Sequence, residues 1–331
     1  MSAIVSFTIL LVLTLGFAFL NGFHDAANAV ATIIASRALS PRYALAMAAM
    51  SDMLGPLLFG TAVATTVGKE IVAPSSITIT VVIAALASGS LWSLVTWMWG
   101  IPSSSSHALA GGLVGATVTY GGWSVLKTAG LIKIALALFV SPLLGFVLGW
   151  ILLRCILVLA RDATPRINNT FNRMQLVTAT ALALSHGAND AQKTAGIIAL
   201  GLVIVGFEGT FRIPLWVTLV NAVAIGSGTA AGGWRIIRTL GGKFYRIRPV
   251  HSFASQLTSA AVILGASILG GPVSTTHVVS SAIVGVGASE RKSQVRWTNL
   301  VDIGIAWLIT VPITAVLAAL LYIVLRFVLG D

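Results

Sequence analysis

The chain has 331 residues, of which 57% are hydrophobic and 9% charged, and its mean hydropathy is +0.97. Soluble domains carry about 25% charged residues, so this composition excludes a soluble protein and indicates one embedded in a lipid bilayer. The net charge of +11 does not indicate a nucleic-acid partner, because the basic residues are confined to short loops, where the positive-inside rule accounts for them.

Apolar runs long enough to cross a bilayer, which takes about 20 residues each, recur along the whole chain. They lie at about 4–36, 43–67, 77–118, 128–153, 174–205, 212–234, 252–289 and 299–328. Several are too long for one helix and carry glycine, proline or polar residues near the middle, which predicts broken or re-entrant helices. We expect an all-α polytopic membrane protein with about 10–12 membrane segments in one membrane domain, 1–331. No small-residue cleavage site follows the first run, so we do not interpret it as a signal peptide.

Two motifs occur twice, in the same order. The sequence Asn-Gly-Phe-His-Asp-Ala-Ala-Asn at 21–28 matches His-Gly-Ala-Asn-Asp-Ala-Gln-Lys at 186–193 in the pattern G-x-x-D-A. Pro-Ser-Ser-Ser-Ser-His at 102–107 matches Pro-Val-Ser-Thr-Thr-His at 272–277. The shared order and similar spacing predict a duplication, with repeat one at 1–155, a cytoplasmic loop at 156–173 and repeat two at 174–331.

Loop charges predict that the two copies are inverted. After the first motif helix, repeat one has Arg37 and Arg42, whereas repeat two has Glu208. The later loops at 235–248 and 291–296 are strongly basic only in repeat two, so the positive excess switches between repeats. Inverted repeats with broken helices are the architecture of secondary transporters. We expect a multi-pass protein of the cell (plasma or inner) membrane with its basic loops in the cytoplasm.

Four carboxylates lie within apolar segments: Asp25, Asp52, Asp190 and Asp302. Each costs about 2.5–3.5 kcal/mol at membrane depth, so it normally faces a cavity or a partner. Asp25 and Asp190 recur in both copies and indicate a functional site; Asp302 fits an ordinary polar helix contact, and Asp52 fits either. Residues spaced by three or four lie on one face of a helix. Asp25 therefore shares its face with Asn21, Asn28 and Thr32, and Asp190 shares its face with His186 and Lys193. These sets predict a site for a small hard cation or a proton.

The serine and threonine stretches follow a proline and open an apolar helix. A helix N-terminus has free N–H groups and partial positive charge, and it binds tetrahedral oxyanions. A proline before a polar helix start is also an ordinary capping pattern, but its duplication beside membrane carboxylates favours an anion site. His107 and His277 fit packing residues beside that site, with proton handling as the alternative.

At these motifs the chain resembles the inorganic phosphate transporter (PiT) family over nearly its whole length. The resemblance rests on residues 22–32, 185–193 and 232–235 and on the two P-x-S-[ST]-[ST]-H elements. It implies import of orthophosphate driven by a sodium or proton gradient, by a homodimer without a cofactor. It implies that phosphate is held by Ser104, Ser105, Ser106, Ser274, Thr275 and Thr276, and that Asp25, Asn28 and Asp190 bind the coupling cation. We add Asn21, His186, Asn189 and Lys193 to the predicted coupling set.

Two departures from the family pattern bear on the cation. The sodium-coupled pattern is G-A-N-D in both copies with an asparagine three residues later, but this chain has His24 in the first copy and Lys193 at the later position of the second. An ammonium within one turn of Asp190 can take the electrostatic role of a bound sodium ion. The chain therefore resembles the proton-coupled bacterial branch, which also moves neutral metal–phosphate complexes. We predict H+ as the coupling ion; with Na+ instead, Asp25 and Asp190 would be its ligands.

Other functions remain open at this point. A sulfate permease of the same fold would use similar hydroxyls and helix N-termini. An intramembrane aspartic protease needs two carboxylates that share a proton, but Lys193 lies on the face of Asp190 and no G-x-G-D pattern occurs. Since Ser106 and His107 are adjacent in sequence, they do not face each other as a hydrolase pair would. We expect no enzyme, and we interpret Cys155 as an inert thiol.

Overall fold

The computed structural model describes residues 2–72 and 76–329, and these residues form twelve α-helices and no strand. The first six are α1 (Ala3–Ala35), α2 (Pro41–Leu58), α3 (Ala62–Thr65), α4 (Ile79–Trp99), α5 (Ser105–Gly121) and α6 (Thr128–Leu159). The other six are α7 (Ile167–Ile204), α8 (Leu215–Ala231), α9 (Trp234–Gly242), α10 (Pro249–Ile268), α11 (Thr275–Glu290) and α12 (Trp297–Leu329). The predicted all-α class is confirmed.

The duplication is visible in the helix lengths. Matched helices have 21 and 20 residues (α4 and α10), 17 and 16 (α5 and α11), and 32 and 33 (α6 and α12). A proline lies inside each of the last pair, Pro142 and Pro312. The connection between the repeats is 160–166, whereas the predicted loop is 156–173. The helix α6 continues through apolar residues to Leu159, and α7 begins at Ile167 with exposed polar residues in its first turn.

The arrangement of the loops agrees with inverted repeats. The α1–α2 loop of repeat one lines one cavity together with the α9–α10 and α11–α12 loops of repeat two. The counterparts of those two loops meet each other instead, through the bridge between Val72 and Leu126 and the hydrogen bond from Lys127 N to Ile71 O. Each loop of one repeat therefore lies at a different place in the molecule from its counterpart in the other repeat, as inversion requires.

Four helices are long and apolar enough to cross a bilayer by themselves: α1, α4, α6 and α12. Two pairs of helices are also long and apolar enough when each pair is taken together. Pro41–Leu58 is followed by Ala62–Glu70, in which a π-helical turn at Thr66–Glu70 extends α3, and the two are bent by 72°. Leu215–Ala231 is followed by Trp234–Gly242 with a bend of 68°. The expected breaks occur between α4 and α5 and between α10 and α11, whereas α1 and α7 run unbroken through their motifs. Both unbroken helices are about 50 Å long or more, which exceeds the bilayer core of about 30 Å.

Glycines bring the helices of the two repeats together. A Cβ at Gly22 would lie 2.0 Å from the carbonyl oxygen of Ile225 on α8, and one at Gly187 would lie 2.2 Å from that of Asp52 on α2. These two are the glycines of the repeated G-x-x-D-A pattern. The pattern therefore encodes a close contact between helices, which places each aspartate one turn further along, beside the opposite repeat.

Candidate functional site

Two buried carboxylates and one imidazole meet where α1 and α7 pack together. Asp25 and Asp190 are 1% and 0% exposed. His186 lies between them, with Nε2 3.2 Å from Asp190 Oδ2 and 4.0 Å from Asp25 Oδ2. One ligand atom from each of the three residues lies within 4.8 Å of the other two. The trio could hold a cation, and His186 could instead carry a proton, since imidazole titrates near neutral pH.

Lys193 places a positive charge directly against this trio. Its ammonium group donates to Asp190 Oδ1, to Ser106 Oγ and to the backbone oxygen of Val273, the last at 2.8 Å. An ammonium has three donors, so all of its hydrogen-bonding capacity is used. Asn28, the matching residue of repeat one, donates instead to Thr276 Oγ1 at 3.0 Å. The two halves of the site therefore differ in charge.

The hydroxyls that open α11 bind the same carboxylates. Thr276 donates to Asp25 Oδ1 at 3.0 Å, and Thr275 donates to Asp190 Oδ2 at 3.2 Å. At the start of α5, Ser106 donates to Val273 O at 2.8 Å. Three of the residues predicted to hold phosphate thus form one cluster with five of those predicted to bind the cation. We call it the central cluster: Asp25, Asn28, Ser106, His186, Asp190, Lys193, Thr275 and Thr276.

Each of the two helix starts is capped in the same way. Ser104 Oγ accepts from His107 N at 3.1 Å, and Ser274 Oγ accepts from His277 N at 3.2 Å, which is an N-cap bond. These two serines, predicted as phosphate ligands, therefore have a structural bond. The hydroxyl of Ser105 makes no hydrogen bond to the described residues, so it remains available as a donor beside the free N–H groups of the first turn.

Asp52 adds a third carboxylate, behind His186. Its Oδ1 lies 2.9 Å from His186 Nδ1, and its Oδ2 accepts from Thr229 at 2.5 Å. The imidazole consequently links Asp52 on one side to Asp190 on the other. The sequence indicates Asp52 as a membrane carboxylate but does not indicate its partner, because Asp52 and His186 lie on different repeats and no motif links them.

His24 is the second residue whose role the sequence did not resolve. Its Nδ1 lies 2.9 Å from Asp25 Oδ1, and its Nε2 lies 3.3 Å from Thr96 and 3.4 Å from Ser103. In the sequence, His24 stands out because it replaces the asparagine of the G-A-N-D pattern. His24 therefore gives Asp25 an imidazole neighbour in repeat one, where Asp190 has the ammonium of Lys193.

Other predicted residues lie beside the central cluster or away from it. Asn189 donates to Ser267 Oγ at 2.8 Å and to Gly271 O at 3.1 Å, so its amide holds the break between α10 and α11. Asn21 is buried, and its Oδ1 has no hydrogen-bond partner within the described chain. Asp302 is exposed.

The two histidines that follow the serine and threonine stretches pack against each other. The rings of His107 and His277 are 4.4 Å apart, and His277 stacks on Trp307 at 3.8 Å. The Nδ1 atom of His107 lies 2.8 Å from Ser104 Oγ. These contacts are those of packing residues, and the anion site beside them stays a prediction.

An inverted duplication with two broken helices and a buried charged cluster defines a membrane transporter. A profile described as "Phosphate transporter family" matches residues 21–318. Relatives named "Probable low-affinity inorganic phosphate transporter" are 44% identical in Bacillus subtilis (99% of this chain, 100% of the relative) and 45% identical in Rhizobium meliloti (95% and 94%). A solved structure titled "The sodium-dependent phosphate transporter" is similar with a TM-score of 0.90 and 26% identity, over 98% of this chain and 99% of that one. The chain belongs to the phosphate transporter (PiT) family.

Proposed function

We propose that this transporter imports inorganic phosphate together with protons, and that the central cluster is where the two are coupled. The contact between helix-start hydroxyls and buried carboxylates supports this most directly. A phosphate oxygen that reached Thr275 or Thr276 would approach Asp25 and Asp190. Two like unit charges 4 Å apart repel by about 4 kcal/mol at an effective dielectric constant of 20. Phosphate therefore binds there only when a proton or cation neutralises a carboxylate.

Lys193 favours the proton over sodium. Its ammonium already occupies the position next to Asp190 Oδ1 where a bound cation would otherwise neutralise that carboxylate. The remaining negative charge, on Asp25, lies beside two imidazoles, His24 and His186. Imidazole takes up and releases protons near neutral pH, so the cluster has the groups that proton coupling needs.

One observation favours sodium as the alternative. The Oδ1 atom of Asn28 is buried and has no hydrogen-bond partner among the described residues. It lies next to Thr276, which contacts Asp25, and oxygen atoms in this arrangement are ligands that a hard cation prefers. The solved relative is itself named sodium-dependent. Sodium is therefore the alternative coupling ion, and a complex of phosphate with a divalent metal ion is the alternative form of the substrate.

Uptake of labelled phosphate into proteoliposomes tests the proposal. We expect uptake driven by a pH gradient in sodium-free buffer, abolished by a protonophore and strongly reduced in the Ser105→Ala/Thr275→Ala variant. Uptake that requires a sodium gradient would show that the coupling ion is sodium instead of the proton, and it would leave the proposed phosphate site unchanged. Excess unlabelled sulfate should leave uptake unchanged; competition by sulfate would broaden the substrate. The homodimer and the cytoplasmic side of the basic loops stay predictions.

A further inference from the structure

Three loops meet at one end of the molecule around two adjoining cavities of about 610 and 510 Å³. Four arginines line them, one on the α1–α2 loop, two on the α9–α10 loop and one before α12: Arg37, Arg246, Arg248 and Arg296. We call these residues, with Tyr245, the arginine groove. It combines loops from both repeats and shares no residue with the central cluster.

The positive charge of this groove is largely uncompensated. Its lining includes one carboxylate, Glu290, which is already bound by Arg248 and by His251 Nε2, the latter at 2.8 Å. Arg37, Arg246 and Arg296 are exposed and make no ion pair with any residue that the structure describes. Three guanidinium groups from three different loops therefore lie around one space without an anion of the protein between them.

Hydrogen bonds hold two walls of the groove in place. Arg296 N donates to Phe244 O at 3.0 Å, and Asn299 Nδ2 donates to Lys243 O at 2.6 Å, so the α9–α10 and α11–α12 loops are tied together. The hydroxyl of Tyr245 donates to Ile283 O at 2.9 Å. The arginine backbones are thus positioned before any ligand arrives, which lowers the entropic cost of binding.

The third wall has an unusual backbone. Arg37 has φ of 61°, and every other positive-φ residue in the described part of the chain is a glycine. For a side chain larger than glycine this left-handed conformation costs about 1–2 kcal/mol. This residue closes the C-terminus of α1, where Arg37 N donates to Ile34 O at 3.0 Å and Ala38 N donates to Ile33 O at 3.1 Å, a position that is usually glycine. A glycine would relieve the strain at Arg37 but would remove one guanidinium group from the groove.

We propose that the arginine groove binds a phosphate-bearing anion with more than one negative charge. Guanidinium groups pair with phosphate oxygens through two parallel hydrogen bonds, and three of them can contact neighbouring phosphoryl groups of one ligand. Two sources have this chemistry: a soluble oligophosphate, or the headgroup of an anionic phospholipid, which basic pockets of membrane proteins also bind.

Calorimetry on the purified full-length protein tests the proposal, with tripolyphosphate as the soluble probe. Binding at the transport site would be unchanged in variants of the groove, so a loss in those variants reports on the groove. The test variants are Arg37→Gly, Arg246→Gln and Arg296→Gln. We expect each to weaken binding by roughly tenfold and the triple variant to abolish it. Arg37→Gly should leave the unfolding temperature unchanged or raised, which separates lost charge from lost folding.

The matched control is the triple variant Arg154→Gln, Arg166→Gln and Arg173→Gln, which removes three exposed arginines from the helix ends around the 160–166 connection. It should bind tripolyphosphate as the wild type does. A second experiment tests the lipid headgroup as the ligand: the protein is placed in nanodiscs with and without cardiolipin, and bound lipid is measured by native mass spectrometry. Retention of cardiolipin that depends on the groove arginines, without tripolyphosphate binding, assigns the site to a lipid headgroup. Equal losses in both triple variants, or binding of neither probe, would overturn the proposal.

Discussion

Nδ1 of His186 lies 2.9 Å from Oδ1 of Asp52, and this bond joins the first motif helix of repeat two to α2 of repeat one. The other ring nitrogen faces Asp190 and Asp25. A carboxylate on one nitrogen orients the ring and sets which nitrogen carries the proton. Under the proposed proton coupling, His186 is placed to pass a proton between Asp52 and the pair of carboxylates that the helix-start hydroxyls contact.

Replacement of Asp52 by asparagine should uncouple this chain. The Asp52→Asn side chain keeps the size and a hydrogen-bonding oxygen but cannot accept a proton, so we expect phosphate uptake driven by a pH gradient to fall by about tenfold or more. Phosphate binding, measured by calorimetry, should persist. Asp302→Asn, which changes an exposed acid on α12, is the control and should transport normally. Unimpaired uptake in Asp52→Asn would remove Asp52 from the proton path.

Lys193→Asn, which installs the residue type of the matching position in repeat one, tests the tethered ammonium. It leaves the negative charge of Asp190 without its nearest cation. We expect uptake in a pH gradient to drop, and added sodium to restore part of it, because a free cation can then occupy the vacated position. Lys127→Asn changes an exposed lysine and should have no such effect. Sodium-insensitive uptake at the wild-type rate in Lys193→Asn would contradict the proposed role.

The two motif glycines should be intolerant of a methyl group. In Gly22→Ala and Gly187→Ala the new Cβ would lie 2.0 and 2.2 Å from backbone oxygens of the opposing helices, and overpacking of this kind costs about 1–3 kcal/mol. We expect a lower unfolding temperature in detergent and reduced uptake. Gly16→Ala, on the same helix as Gly22 but with nothing within 4 Å of its Cβ, should be neutral or stabilising. Similar behaviour of all three variants would refute the close-contact explanation.

Alanine substitutions at Ser104 and Ser105 should have different effects, the first on stability and the second on phosphate binding. Ser104→Ala removes an N-cap bond, which typically costs about 1 kcal/mol of stability. Ser105→Ala removes a hydroxyl that makes no hydrogen bond to the described residues, so stability should be unchanged while the KM for phosphate rises several-fold. Thermal unfolding and uptake kinetics on the two single variants check this. A rise in KM only in Ser104→Ala would reverse the assignment.

Much of the architecture follows from sequence patterns that act locally. The paired motifs indicate the duplication, the loop arginines indicate its inversion, and proline followed by hydroxyls marks the starts of α5 and α11. A helical spacing of three or four residues correctly places His186, Asp190 and Lys193 on one face. The spacing argument does not extend to Asn189: this residue is adjacent to Asp190, about 100° away around the helix, and its amide binds the α10–α11 break instead.

By itself, then, the sequence determined the class of fold, the family and the residues of the central cluster. The tertiary structure alone decided their pairing: Asp52 with His186, Lys193 with Val273, and the predicted phosphate hydroxyls with the coupling carboxylates. The physical reason is that periodicity specifies a face on one helix, whereas these partners belong to different helices. Which faces meet depends on how closely two backbones approach, and here glycines at the contacts between repeats set that distance.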